Sequence, residues 1–107
     1  MKTESEQIDD VIAFLESHKW IKYRMYEPQN YNLKKGPVGC CVFGAFTHIN
    51  HKNQYETMPV WEKFNAWVSK QYPEYDKNTQ GAVWYNDYVA KDKRYIIRKL
   101  RAFQRTL

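Results

Sequence analysis

Fourteen consecutive residues, Gly36 to Ile49, read Gly-Pro-Val-Gly-Cys-Cys-Val-Phe-Gly-Ala-Phe-Thr-His-Ile without an acid, lysine or arginine. A segment that is apolar on every side is buried on every side, so the amphipathic pieces around it must pack against it. The run is read as a central helix from about Val38 to Asn50, after the Gly36-Pro37 turn. Gly44 inside that helix costs about 1 kcal/mol relative to alanine, and close approach of another helix is its natural compensation.

On the N-terminal side, Thr3 and Glu6 have capping-box spacing, and Ile8, Val11, Ile12 and Leu15 recur at helical intervals. This predicts a first helix over about Glu4 to His18 with an acidic outer face of Glu4, Glu6, Asp9, Asp10 and Glu16. Lys19 to Lys35 reads as a long ordered loop with room for one short strand. Its Lys22, Arg24, Lys34 and Lys35 interleave with Trp20, Tyr23, Tyr26 and Tyr31, a mixture that nucleotide and single-strand binders use.

Beyond the central run, Asn50 to Glu56 reads as a loop. Thr57 caps a helix that has Pro59 in its first turn and the stripe Trp61, Phe64, Trp67 and Val68, ending near Gln71. Tyr72 to Gly81 reads as a loop, Ala82 to Tyr85 as a short apolar return to the core, and Asn86-Asp87 as a turn. The last helix runs from about Asp92 to Arg105 with the apolar stripe Ile96, Leu100, Phe103 and Leu107. The fold class expected is therefore mainly α: one compact four-helix domain over residues 1 to 107, a central buried helix, an irregular aromatic loop and room for one short strand pair.

The same last helix carries Arg94, Arg98, Arg101 and Arg105, a second stripe about 200° from the first. With Lys91, Lys93 and Lys99, residues 91 to 107 hold seven of the chain's seventeen lysines and arginines against one acid. Guanidinium forks match phosphates and carboxylates, so Arg94, Arg98, Arg101, Arg105 and Lys91 are the candidate anion- or partner-binding residues. The net charge of +5 points the same way. The partners expected are an acidic protein surface, a nucleic acid or a nucleotide, or the chain's own acidic first helix within one fold or in a neighbouring copy. Nine tyrosines and four tryptophans exceed what a core of this size needs, which leaves rings for an interface.

Cys40 and Cys41 are neighbours and cannot build an ordinary disulfide framework, so both read as reduced thiols. In the first turn of the central helix the dipole would lower their pKa, which makes Cys41 a candidate nucleophile with His48 and Asn86 as candidate partners. Cys41 and His48 lie seven residues apart, roughly 10 Å along a helix, too far for a direct hydrogen bond. The alternative reading is thus a cysteine-dependent hydrolase or transferase, and a further one a nucleotide-binding sponge. His48 and His51 lack the spacing of a metal motif, and neither a metal nor another cofactor is expected. Trp20, Cys41, Trp84, Tyr85, Asn86 and Asp87 form a candidate pocket of rings and small polar groups. The acidic start and the lack of a run of about 20 apolar residues predict a soluble, cytoplasmic chain with no membrane partner.

Cys41-Val42-Phe43-Gly44-Ala45-Phe46 resembles the Cys-x-x-Gly-Ala-apolar motif of a family of small uncharacterised phage and actinobacterial proteins that also carry a Trp-Asn-Asp turn before a closing helix. Here the turn is Trp84-Tyr85-Asn86-Asp87, with Tyr85 inserted or replacing the tryptophan. The resemblance spans about Phe14 to Phe103. It implies a compact helical fold, a phage or mobile-element origin and the host cytoplasm as location. By analogy with phage proteins of this size, it implies a non-enzymatic inhibitor of a host nucleic-acid-handling or defence complex. The oligomeric state is left open.

Overall fold

In the computed structural model, residues 2–32, 34–53, 58–75 and 80–107 are described, with Lys52 and Asn53 by backbone alone. The expected mainly α architecture is present, and a short additional helical segment joins the four long helices. Helix α1 spans Glu4–Glu16, two residues short of the expected end. Its capping box is formed: Glu6 N–H donates to Thr3 Oγ1 at 3.1 Å and Thr3 N–H to Glu6 Oε1 at 2.9 Å. Ile8, Val11, Ile12 and Leu15 are buried on its inner face.

The segment after α1 forms three two-residue strands: β1 (Lys19–Trp20), β2 (Tyr26–Glu27) and β3 (Gly39–Cys40). β3 is central, parallel to β1 and antiparallel to β2, so that Cys40 lies opposite both Trp20 and Tyr26. This ladder corrects the start of the central helix. Val38 N–H donates to the Glu27 carbonyl and Cys41 N–H to the Met25 carbonyl, at 2.9 and 3.1 Å. The carbonyls that would open a helix there are taken across strands as well, Val38 by Lys19 N–H at 3.0 Å and Cys40 by Ile21 N–H at 3.1 Å, so α2 covers Val42–Asn53.

The end of α2 also lies beyond the expected Asn50; residues 54–57, with the expected Thr57 cap, fall outside the described residues. Helix α3 is Met58–Gln71, with Pro59 in its first turn. Tyr72 to Tyr75 are irregular, and 76–79 are outside the described residues. α4 (Gly81–Trp84) opens at Gly81, which the expected loop had included, and runs into a π-helical turn over Tyr85–Val89, where Ala90 N–H donates to the Tyr85 carbonyl at 2.9 Å. The expected Asn86-Asp87 turn is therefore part of a widened helical turn. α5 is Lys93–Gln104, capped by Asp92, whose carboxylate accepts from Arg94 N–H at 2.9 Å.

One core joins these elements. Phe46 of α2 meets Trp61 and Phe64 of α3 at ring distances of 5.2 and 5.8 Å, and Phe64 meets Phe103 of α5 at 5.4 Å. Each such fully buried ring contributes about 2 kcal/mol of transfer free energy. Ile96, Leu100 and Phe103 are buried as expected, but Leu107 is 45% exposed because α5 ends at Gln104 and the core with it. Gly44 does answer a close approach, though by a loop and not by a helix. A methyl group there would strike the Met25 carbonyl oxygen.

Candidate functional site

The arginine face of α5 is solvent-exposed at Arg94, Arg98, Arg101 and Arg105, as its spacing predicts. The four are not equivalent. Arg94 pairs with Asp92 at 2.8 Å and Arg101 with Asp9 of α1 at 2.7 Å, so the acidic first helix does neutralise part of this face within one fold. Gln104 Nε2 adds bonds to the Ser5 carbonyl and to Asp9. These bonds, with Gln104 first, hold the Asp9 carboxyl below its ordinary range. Arg98 lies over the Tyr95 ring at 5.1 Å, and Arg105 and Lys91 make no ion pair among the described residues. Lys93 and Lys99 do not belong to the free set. Lys93 donates to the His18 carbonyl, and Lys99 sits over the rings of Trp67, Tyr72 and Tyr85 while donating to Gln71 and Tyr72.

Of the proposed pocket residues Trp20, Cys41, Trp84, Tyr85, Asn86 and Asp87, hydrogen bonds join only Trp20, Asn86 and Asp87, in a closed polar knot, while the Tyr85 hydroxyl donates to the Tyr95 carbonyl. Asn86 has no exposed surface, and its amide makes all four bonds it can. Oδ1 accepts from Trp20 Nε1 at 2.7 Å and from Val42 N–H at 3.1 Å. Nδ2 donates to the Ile21 carbonyl at 3.2 Å and to Asp87 Oδ1 at 3.0 Å. Val42 is the first residue of α2, so Asn86 caps that helix from 44 positions away. Trp84 packs elsewhere, against Tyr72, Tyr75 and Tyr88.

Cys41 stands just before α2, and its Sγ accepts from Gly44 N–H at 3.4 Å. Burial nevertheless outweighs this bond and pushes the thiol up, the reverse of the expected activation. Cys40, central in the small sheet, is pushed up to about 12 by burial. Among the described residues no histidine bonds Cys41, and Asn86 is spent on the knot. His48 lies further along α2, in the lining of a groove that does not include Cys41.

Asp87 carries one consequence of the knot outward. Its Oδ1 accepts Tyr23 N–H at 2.9 Å, and Tyr23 has φ of 70°, in the left-handed region that a bulky side chain rarely occupies. The strained residue and Tyr88 are 67% and 66% exposed and meet edge-on at 5.6 Å. Such strain persists only where the surroundings impose it, and here it holds an aromatic pair in solvent.

A groove of about 610 Å³ between α1, the Lys34–Gly36 turn and α2 was not identified from the sequence. All three histidines, His18, His48 and His51, line it, with Lys2, Lys34 and Lys35. The Phe14 ring is stacked between His18 and His48 at 3.9 and 4.5 Å. Phe14 and His18 at helical spacing, and His48 and His51 three apart, were the available signals. Their convergence depends on α1 packing on α2. No group of three potential ligands among the described residues is arranged to hold a metal ion, and no helix among them is long and apolar enough to cross a membrane. No protein-family model, curated protein or solved structure matches the chain, so its functional reading rests on the geometry of the arginine face, the tyrosine pair and the groove.

Proposed function

We propose that this chain is a small non-enzymatic binding protein that docks on an acidic protein surface through α5, with Tyr23 and Tyr88 as exposed aromatic contacts. The observation that carries this reading is the division within the arginine stripe: Arg98, Arg105 and Lys91 hold charge that no acid among the described residues neutralises. A partner carboxylate can supply the bidentate match. A protein surface suits the face better than a phosphate backbone, because Asp9 and Asp92 interrupt the positive track. The buried thiol with its raised pKa favours binding over cysteine chemistry. The resemblance to phage and actinobacterial proteins directs the proposal to a phage-encoded inhibitor of a host nucleic-acid-handling or defence complex in the host cytoplasm.

The test is capture from host lysate, treated with nuclease, by the tagged protein and by an Arg98→Glu/Arg105→Glu variant. The wild type should retain one protein in stoichiometric amount, and the variant should lose it without a change in thermal midpoint. Retention by the variant, or a catch that disappears with nuclease, rejects the reading.

A further inference from the structure

We infer that the groove between α1 and α2 is a binding site for a mononucleotide, with the phosphate held by Lys34 and Lys35 and the base stacked on the histidine–phenylalanine wall. This inference does not rest on the α5 surface.

Three independent features of the groove support it. The first is charge. Its lining carries three lysines against one acid, Asp10, and that acid is paired with Lys2 at 2.7 Å. Lys34 and Lys35 are exposed at the turn, and neither makes an ion pair among the described residues. Two adjacent ammonium groups on a turn present point charges suited to one phosphate group.

The second is the ring wall. His18, Phe14 and His48 form a continuous stack, with both interplanar angles at 24°, and Tyr31 is tilted beside His48 at 6.1 Å. A planar base extends such a stack with little regard to its sequence identity, as in nucleic-acid binders that use aromatic platforms. The third is hydrogen bonding. His18 Nδ1 lies 2.8 Å from both the Phe14 carbonyl oxygen and Ser17 Oγ, so that edge of the ring is engaged within the chain. Nε2 is thereby left as the ring atom available to a ligand.

The space fits the occupant. A groove of about 610 Å³ is within the range of small-molecule sites. A metal ion is a poorer occupant, since the histidines do not gather as a ligand set among the described residues.

Adenosine 5′-monophosphate, adenosine and inorganic phosphate are the probes, titrated into the full chain by calorimetry. The monophosphate should bind, with each fragment at least about tenfold weaker, because base and phosphate contacts act together. Lys34→Glu/Lys35→Glu should weaken the monophosphate by at least about tenfold through loss of charged hydrogen bonds. Aromatic proton signals of His18, Phe14 and His48 should shift on binding in the wild type. The Arg98→Glu/Arg105→Glu variant should bind the nucleotide unchanged, which separates this site from the α5 surface. No heat and no shifts with the monophosphate, or equal affinity in the Lys34/Lys35 variant, overturns the inference, as does affinity for phosphate alone equal to that for the nucleotide.

Discussion

The Asn86 knot and the α1–α2 groove both gather polar groups from segments far apart in sequence, yet they do opposite things with them. In the knot, one amide meets two donors and two acceptors, and none of its own polar atoms is left for a ligand. In the groove, the side chains of Lys34 and Lys35 and a histidine nitrogen have no partner among the described residues and line the same space as a ring wall. The difference shows why polar residues near aromatic rings are ambiguous in a sequence. Their meaning depends on whether the fold satisfies them internally or leaves that to a partner.

The largest effect is expected from breaking the knot. Asn86→Ala strands Trp20 Nε1, the Val42 N–H and the Ile21 carbonyl without their partner, and should cost about 3 kcal/mol in urea unfolding. A loss no greater than that of an ordinary surface substitution would show that water replaces the amide and that the knot is open after all. Next comes the close approach beside it. Gly44→Ala drives a methyl group into the Met25 carbonyl oxygen, and a cost of about 2 kcal/mol is expected as the 22–27 segment shifts.

A third prediction uses pH. Burial raises the Cys40 thiol from 9.0 to about 12, so the fold favours its neutral form. The stability this contributes is complete below about pH 9, falls as the unfolded thiol ionises, and is lost as pH rises to about 12. One unit into that window the loss should be about 1 kcal/mol, seen as a lower urea midpoint, and Cys40→Ala should remove part of the slope. The native thiols should also resist a disulfide reagent at neutral pH until the chain unfolds. Rapid reaction in the folded state would return Cys41 to consideration as a nucleophile.

The smallest effect belongs to the exposed face. A double-mutant cycle on Asp9→Ala and Arg101→Ala should give a coupling of about 0.5 kcal/mol that shrinks with added salt. Because the Asp9 carboxyl is held low in the fold, its contribution is present above the ordinary carboxylate range and fades as pH falls through its folded value. A coupling several times larger would mean that α1 and α5 form a rigid charged unit, and would weaken the proposal that this face is kept for a partner.

How much of this was legible follows from the range of each interaction. The capping box of Thr3 and Glu6, the inward stripes of α1 and α3, the Asp92 cap and the exposure of the four arginines are set by neighbours within a few residues, and the sequence alone determined them. The helical reading of Val38 to Cys41 failed because the Val38 and Cys40 carbonyls were taken by the N–H groups of Lys19 and Ile21, nineteen residues earlier in each case. The Asn86 cap on α2 and the convergence of three histidines lie further still from local reach. Periodicity reports which face of an element is apolar. Only tertiary packing decided which buried polar atoms meet, because a hydrogen bond across 44 positions leaves no local pattern.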